Sequence, residues 1–151
     1  MLSRSRSVGR SLGRSMSGMT RLDPVQEALL SEPCLLVDTE DRVLGSASKR
    51  ACHEVVGATS PLHRAFSLFV FNNRDELLLQ QRSDTKITFP SLWTNTCCSH
   101  PLATPTEMEE VEQLGVRSAA QRRLELELGV PRSQARVEDI KFVTRYVRRN
   151  S

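Results

Sequence analysis

The stretch Thr94 to Pro101, TNTCCSHP, sets a thiol at Cys98 two residues before an imidazole at His100. If Cys98 ends a strand, the two side chains point the same way, a pairing that suits acid–base or metal-assisted chemistry. Such residues in a connecting segment are a stronger functional hint than the same residues in a core. The plainer alternative is a small buried thiol followed by a helix-capping serine, Ser99. All three histidines of the chain, His53, His63 and His100, lie near a cysteine or a polar turn. Neutral imidazoles suit zinc, manganese or iron, and three of them with carboxylates make an open catalytic site, although the spacings match no zinc-finger template. Cations complete the set: Arg82 and Lys86 follow an apolar run, and Arg122 and Arg123 come later. An arginine fork fits phosphate oxygens and a lysine supplies a point charge. The ordinary alternative is a solvated helix face steadied by an Arg123–Glu127 pair at i,i+4.

These groups need elements to hold them. Cys34 to Asp38, CLLVD, predicts a strand, Thr39-Glu40-Asp41 a turn, and Arg42 to Leu44 a second strand. Ala65 to Phe71, AFSLFVF, is the most strand-like run, and Glu76 to Gln80 follows across Asn72-Asn73-Arg74-Asp75, which predicts a buried hairpin. From Thr104 the pattern turns helical: Thr104, Pro105 and Glu107 stand as N-cap, first-turn proline and the acid of a capping box. Val116, Ala119, Ala120 and Leu124 recur at helical spacing, and Gly129 with Pro131 closes the helix. Residues 140–147, IKFVTRYV, predict one more strand. Strands, one central helix and a final strand make an α/β arrangement with a mixed sheet.

Charge and composition narrow the function classes. The 151 residues suit one domain, and no apolar run approaches the roughly 20 residues of a membrane-spanning helix. The net charge of +3 resides in residues 1–22, which carry Arg4, Arg6, Arg10, Arg14 and Arg21 and no acid. Without those five arginines, 16 Lys+Arg stand against 18 Asp+Glu, so a nucleic-acid-binding surface has little support. The same leader holds Ser3, Ser5, Ser7, Ser11, Ser15 and Ser17, a composition shared by mitochondrial transit peptides and by plain disordered tails. The division expected is a leader over 1–22 and one domain over 23–151. Cys34, Cys52, Cys97 and Cys98 read as reduced thiols, since nothing marks a secreted disulfide framework.

Several long motifs occur in a fixed order: Leu62-His63-Arg64-Ala65-Phe66-Ser67, Leu79 to Asp84 with Lys86-Ile87-Thr88-Phe89-Pro90, TNTCCSHP, and Ala119 to Leu124 with Glu127-Leu128-Gly129. Together, from about Cys34 to Tyr146, they resemble the type I isopentenyl-diphosphate isomerases. The resemblance implies a Nudix-like fold, a mixed sheet around a central helix, that interconverts isopentenyl and dimethylallyl diphosphate by moving a proton across an allylic system. It implies Cys98 as the catalytic cysteine and His53, His63 and His100 as ligands of a divalent metal, Zn2+, Mn2+ or Mg2+. It implies Glu127, with the Cys98 carbonyl, as holder of Mg2+ on the diphosphate. Lys49, Arg82, Lys86, Ser99 and Arg123 match diphosphate-contacting positions, and Trp93 is a candidate lining of the cation's path. It further implies a small isoprenyl diphosphate as partner, a monomer or weak dimer, and a cytoplasmic or peroxisomal address, with the leader pointing instead to mitochondria.

The chain departs from that pattern at its end. The family's Glu-x-Glu-type segment lies beyond the strand ending near Tyr146, and Ser151 is reached without it. The expectation is a fold incomplete at the C-terminus, with one alternative a family member that binds diphosphate or metal without turnover. The other alternative, a Nudix diphosphate hydrolase, would want clustered glutamates where this chain has Arg123 and Leu126.

Overall fold

The computed structural model describes residues 24–54, 60–85 and 89–147. The basic leader, and Lys86 among the site candidates, lie outside the described residues. Asp38 organises the first hairpin. Its Oδ1 accepts from the backbone N–H of Glu40 (3.0 Å) and Arg42 (2.8 Å), and its Oδ2 accepts from Arg42 Nε at 2.7 Å. Asp41 takes a left-handed φ of 66°, which an aspartate tolerates better than most residues. The turn joins β1 (Pro33–Val37) to β2 (Val43–Ser48), antiparallel, with Cys34 opposite Ala47 and Leu36 opposite Gly45. The expected strand, turn and strand are therefore present.

The free edge of β1 takes two further segments. His63 bridges Leu36, with Val37 N–H donating to the Leu62 carbonyl at 3.1 Å and Arg64 N–H to the Leu35 carbonyl at 2.8 Å. Leu102 bridges Cys34, with Ala103 N–H donating to the Pro33 carbonyl at 2.9 Å. Arg64 then locks this region: its Nε donates to Asp41 Oδ1 at 2.8 Å and its Nη2 to Glu110 at 3.1 Å. Two short helices, which no periodicity in the sequence announced, flank the hairpin. They are α1 (Pro24–Leu30) and α2 (Lys49–His53), tied by Arg50 to Glu27 at 2.7 Å.

Beyond them, β3 (Phe66–Leu68) pairs antiparallel with β6 (Cys97–Ser99), and β4 (Gln80–Gln81) with β5 (Trp93–Thr94). The predicted hairpin at 65–80 forms at its tip, where Phe71 bridges Leu77 and Asn72 Oδ1 accepts from the Arg74 and Glu76 amides. It is not buried, however: Phe69 and Phe71 are more than half exposed and Leu78 and Leu79 nearly so. A run apolar everywhere but at Ser67 has two faces to cover, and among the described residues the core forms elsewhere. It gathers Cys34, Leu35 and Val37 of β1, Cys52 of α2, Cys97 of β6, and Ala119, Ala120 and Leu124 of the long helix.

That helix, α3, spans Leu114–Leu128. It starts ten residues after the expected N-cap. Thr104 does accept from the Glu107 amide, but the turn stops there because the Glu107 side chain is drawn inward to Arg122 and the Leu102 amide. Gly115 explains the tight entry: a Cβ at this position would overlap the Glu107 backbone carbonyl. The end is as read, with Gly129 at φ 66° donating to the Glu125 carbonyl at 3.0 Å. Residues 141–147 form no strand. Phe142, Val143 and Tyr146 are exposed, and the segment is held by Arg145 to Asp41 at 3.3 Å rather than by a ladder. β-propensity without a neighbouring strand yields no pairing. The α/β class stands, with three two-stranded antiparallel sheets among the described residues. No helix there is long and apolar enough to cross a membrane.

Candidate active site

Three histidines separated by up to 47 positions meet because three backbone anchors converge. Ser48 caps α2 by accepting from the Ala51 amide at 3.2 Å, so Lys49 and His53 fall i,i+4 on one helix face. His63 is pinned by its bridge to Leu36, and His100 is held between β6 and the Leu102 bridge to Cys34. The ring centroids lie 5.0 to 5.1 Å apart, and one nitrogen from each ring lies within 4.8 Å of the other two.

This donor set fits a divalent cation. His63 Nδ1 is 2.9 Å from the Pro61 carbonyl, which can only accept, so Nδ1 is the donor and Nε2 is the nitrogen left to meet a cation. His100 Nδ1 is buried without a partner in the protein. Burial first, then the proximity of His63 and Lys49, pushes His100 down to about 3, and burial likewise lowers His53. Neutral imidazoles in close array are what a bound divalent metal requires.

Cys98 stands on the exposed face of β6, opposite Ser67 of β3, while Cys97 and Ser99 point inward. Its Sγ donates to Asn95 Oδ1 at 3.0 Å and lies 3.3 Å from Ser67 Oγ. On the inner face, Cys97 Sγ donates to Glu127 Oε2 at 3.4 Å, and Arg123 Nη2 donates to Glu127 Oε1. Burial, then Glu127, pushes the Cys97 thiol up to about 12. Burial alone would raise the Glu127 carboxyl, but the Arg123 charge and hydrogen bonds from Arg123, Cys97 and Gln80 hold it below the ordinary value. Lys49 is lowered by burial and by Arg123. One connected field therefore links Lys49, the histidines, Arg123 and Glu127.

A second buried pair supports the first. Arg122 Nε donates to Glu107 Oε1 at 2.5 Å and Nη2 to Oε2 at 2.9 Å, while Glu107 Oε2 also accepts from the Leu102 amide at 2.8 Å. Arg122 Nη2 reaches the His100 carbonyl at 3.3 Å. The pair thus clamps α3 to the loop that carries His100.

The structure brings His53, His63, His100, Lys49, Arg123 and Glu127 into one neighbourhood, with Cys98 on the adjoining strand face. Arg82 follows β4, with its amide donating to the Leu92 carbonyl at 2.9 Å, and Ser99 is buried on the face away from Cys98. Trp93 on β5 is exposed. Sequence reasoning missed Asn95, Ser67, Cys97 and Gln80 as neighbours of the site, and it read Glu107 only as a cap. The TNTC motif contained Asn95 and Cys97, but nothing local says which partner each side chain takes.

A metal-suited histidine cluster beside an exposed thiol, on an α/β frame with a central helix, accords with a match to a family: residues 61–150 fit the NUDIX domain. The chain belongs to the NUDIX domain family. Within it, the chain is similar to isopentenyl-diphosphate delta-isomerases, as the motifs implied. It is 54% identical over 125 residues to isopentenyl-diphosphate Delta-isomerase 1 of Bos taurus, covering 82% of this chain and 55% of that protein. It is 50% identical over 127 residues to the isopentenyl-diphosphate delta-isomerase of Gibberella zeae, covering 82% and 50%. With isopentenyl-diphosphate Delta-isomerase II of Clarkia breweri it shares 48% over 143 residues, covering 93% and 50%. The chain spans about half the length of these curated relatives.

Proposed function

We propose that this chain carries the cysteine side of an isomerase site that converts isopentenyl diphosphate to dimethylallyl diphosphate. The observation that carries the reading is the convergence of His53, His63 and His100 within 4.8 Å, one strand end away from an exposed Cys98 thiol. Protonating an unactivated alkene at its terminal carbon creates a tertiary, carbocation-like state, and a base on the opposite face then takes a proton from the neighbouring carbon to complete the shift; Cys98 serves the first of these transfers. Cys98 holds a proton at Sγ on the open face of β6, where it can meet the alkene. Lys49, Arg82, Lys86, Ser99 and Arg123 are the candidate diphosphate contacts.

Glu127 and the Cys98 carbonyl would hold Mg2+ on the diphosphate, and His53, His63 and His100 a second divalent cation, Zn2+, Mn2+ or Mg2+. The chemistry supplied by such cations is charge neutralisation and orientation of acid–base groups. Glu127 is paired with Arg123. For Glu127 to take a cation this pair must open, and an incoming diphosphate offers Arg123 the replacement partner. Hydrolysis of the diphosphate is disfavoured on this site: Arg123 is an internal cation and Leu126 an exposed apolar side chain where a hydrolase helix needs carboxylates.

The test is conversion of labelled isopentenyl diphosphate by the 151-residue chain with Mg2+ and Zn2+, beside Cys98→Ala and a chelator control. The expected result is turnover that Cys98→Ala abolishes and the chelator suppresses. A Cys98→Ala variant with undiminished turnover, or a folded wild-type chain that converts nothing, would refute the proposal.

A further inference from the structure

We propose that Asn95 is a positioning residue for Cys98, directing the thiol S–H bond through a side-chain amide whose orientation the backbone dictates. The inference deepens the acid–base reading above and rests on it for its catalytic meaning.

Asn95 Nδ2 donates to two backbone carbonyls, Leu68 at 2.9 Å and Cys97 at 3.1 Å. A carbonyl only accepts, so the group facing both must be the amide nitrogen and the opposite atom must be the oxygen. That oxygen is met by two donors, Thr94 Oγ1 at 3.0 Å and Cys98 Sγ at 3.0 Å. Every position on the amide is filled, and the amide cannot flip without facing oxygen against two carbonyls. Cys98 has a single proton and its sulfur meets an acceptor, so the S–H bond points at Asn95.

Ser67 then completes the sulfur's surroundings. With the Cys98 proton committed to Asn95, the Ser67 hydroxyl at 3.3 Å is the donor to the sulfur. Ser67 sits opposite Cys98 in the β3–β6 register, and the carbonyls that orient Asn95 belong to Leu68 and Cys97, the next pair of that ladder. The same two strands therefore place the thiol, its acceptor and its donor. Cys98 begins each cycle with its proton parked in a defined direction rather than rotating freely.

Infrared difference spectra between the wild-type chain and Cys98→Ala isolate the Cys98 S–H stretch without turnover. The expected band lies below that of an unbonded thiol and moves up in Asn95→Ala, while Ser67→Ala leaves the S–H donor bond in place. In turnover, Asn95→Ala is expected to lose about tenfold in kcat with KM within about twofold, since the substrate's diphosphate contacts are untouched. A wild-type band at the unbonded frequency overturns the proposal, even if Asn95→Ala fails to fold. So does an unmoved band in an Asn95→Ala chain whose circular dichroism and unfolding midpoint match wild type. If the chain shows the shifted band but no turnover, the isomerase reading fails and the positioning of Cys98 stands.

Discussion

Removing the Arg122 side chain tests how the histidine loop is held. In Arg122→Met the apolar stem is kept and the guanidinium lost, which leaves Glu107, whose side chain is 8% exposed, bonded only to the Leu102 amide. Breaking a buried ion pair from one side costs about 3–5 kcal/mol, because the stranded charge keeps its desolvation penalty. Arg122 retains some solvent contact at 17% exposure, which places the expected loss near the lower end, at about 3 kcal/mol. Glu107→Gln removes the charge but keeps an acceptor for Leu102 and should cost less, about 1.5–3 kcal/mol. The double variant should then lose less than the sum of the two, by about 1–3 kcal/mol of coupling. Urea unfolding of the four chains at constant pH measures all three quantities. A loss under about 1 kcal/mol for Arg122→Met, or additive effects, would show that Glu107 and Arg122 do not form an interior clamp.

Acidification should weaken the metal-free chain in a defined window. His100 is lowered from 6.5 to about 3, so the folded state binds fewer protons than the unfolded one; the stability is full above about pH 6.5 and declines as pH falls towards 3. Urea midpoints from pH 7.5 to 4.5 should fall, with a flatter slope in His100→Gln; a flat wild-type profile would contradict the burial of His100. Gly115→Ala should destabilise by about 1–3 kcal/mol, since the added methyl overlaps the Glu107 carbonyl, and an unchanged thermal midpoint would refute that close approach.

The α3 register shows where local reasoning succeeds. Ala119, Ala120 and Leu124 recur at helical spacing and are buried, and Gly129 closes the helix in the left-handed region, because periodicity and a C-cap act over three or four residues. The turn at Asp38–Arg42 succeeded for the same reason. Where the reading failed, the competing partner lay far along the chain. Thr104 to Glu107 has the letters of a capping box, yet Glu107 forgoes the continuing helix for Arg122, fifteen residues away. AFSLFVF does supply β3, but its burial was misread because Phe69 and Phe71 stay more than half exposed. IKFVTRYV has strand composition, but a strand needs a neighbour, and residues 141–147 have none among the described residues.

By itself, then, the sequence determined the chemical inventory: one thiol motif, three imidazoles, a set of cations, a helix with a defined end, and motifs specific enough to point to a family. The tertiary structure decided the pairings. His63 reaches His100 through β1, Cys97 meets Glu127 thirty positions on, and Asn95 faces Cys98 because Leu68, twenty-seven positions earlier, claims its nitrogen. Local patterns carry energies that act within about one helical turn or one hairpin. A site's hydrogen bonds are made only after distant segments have closed on one core, so their identity is a property of the folded chain.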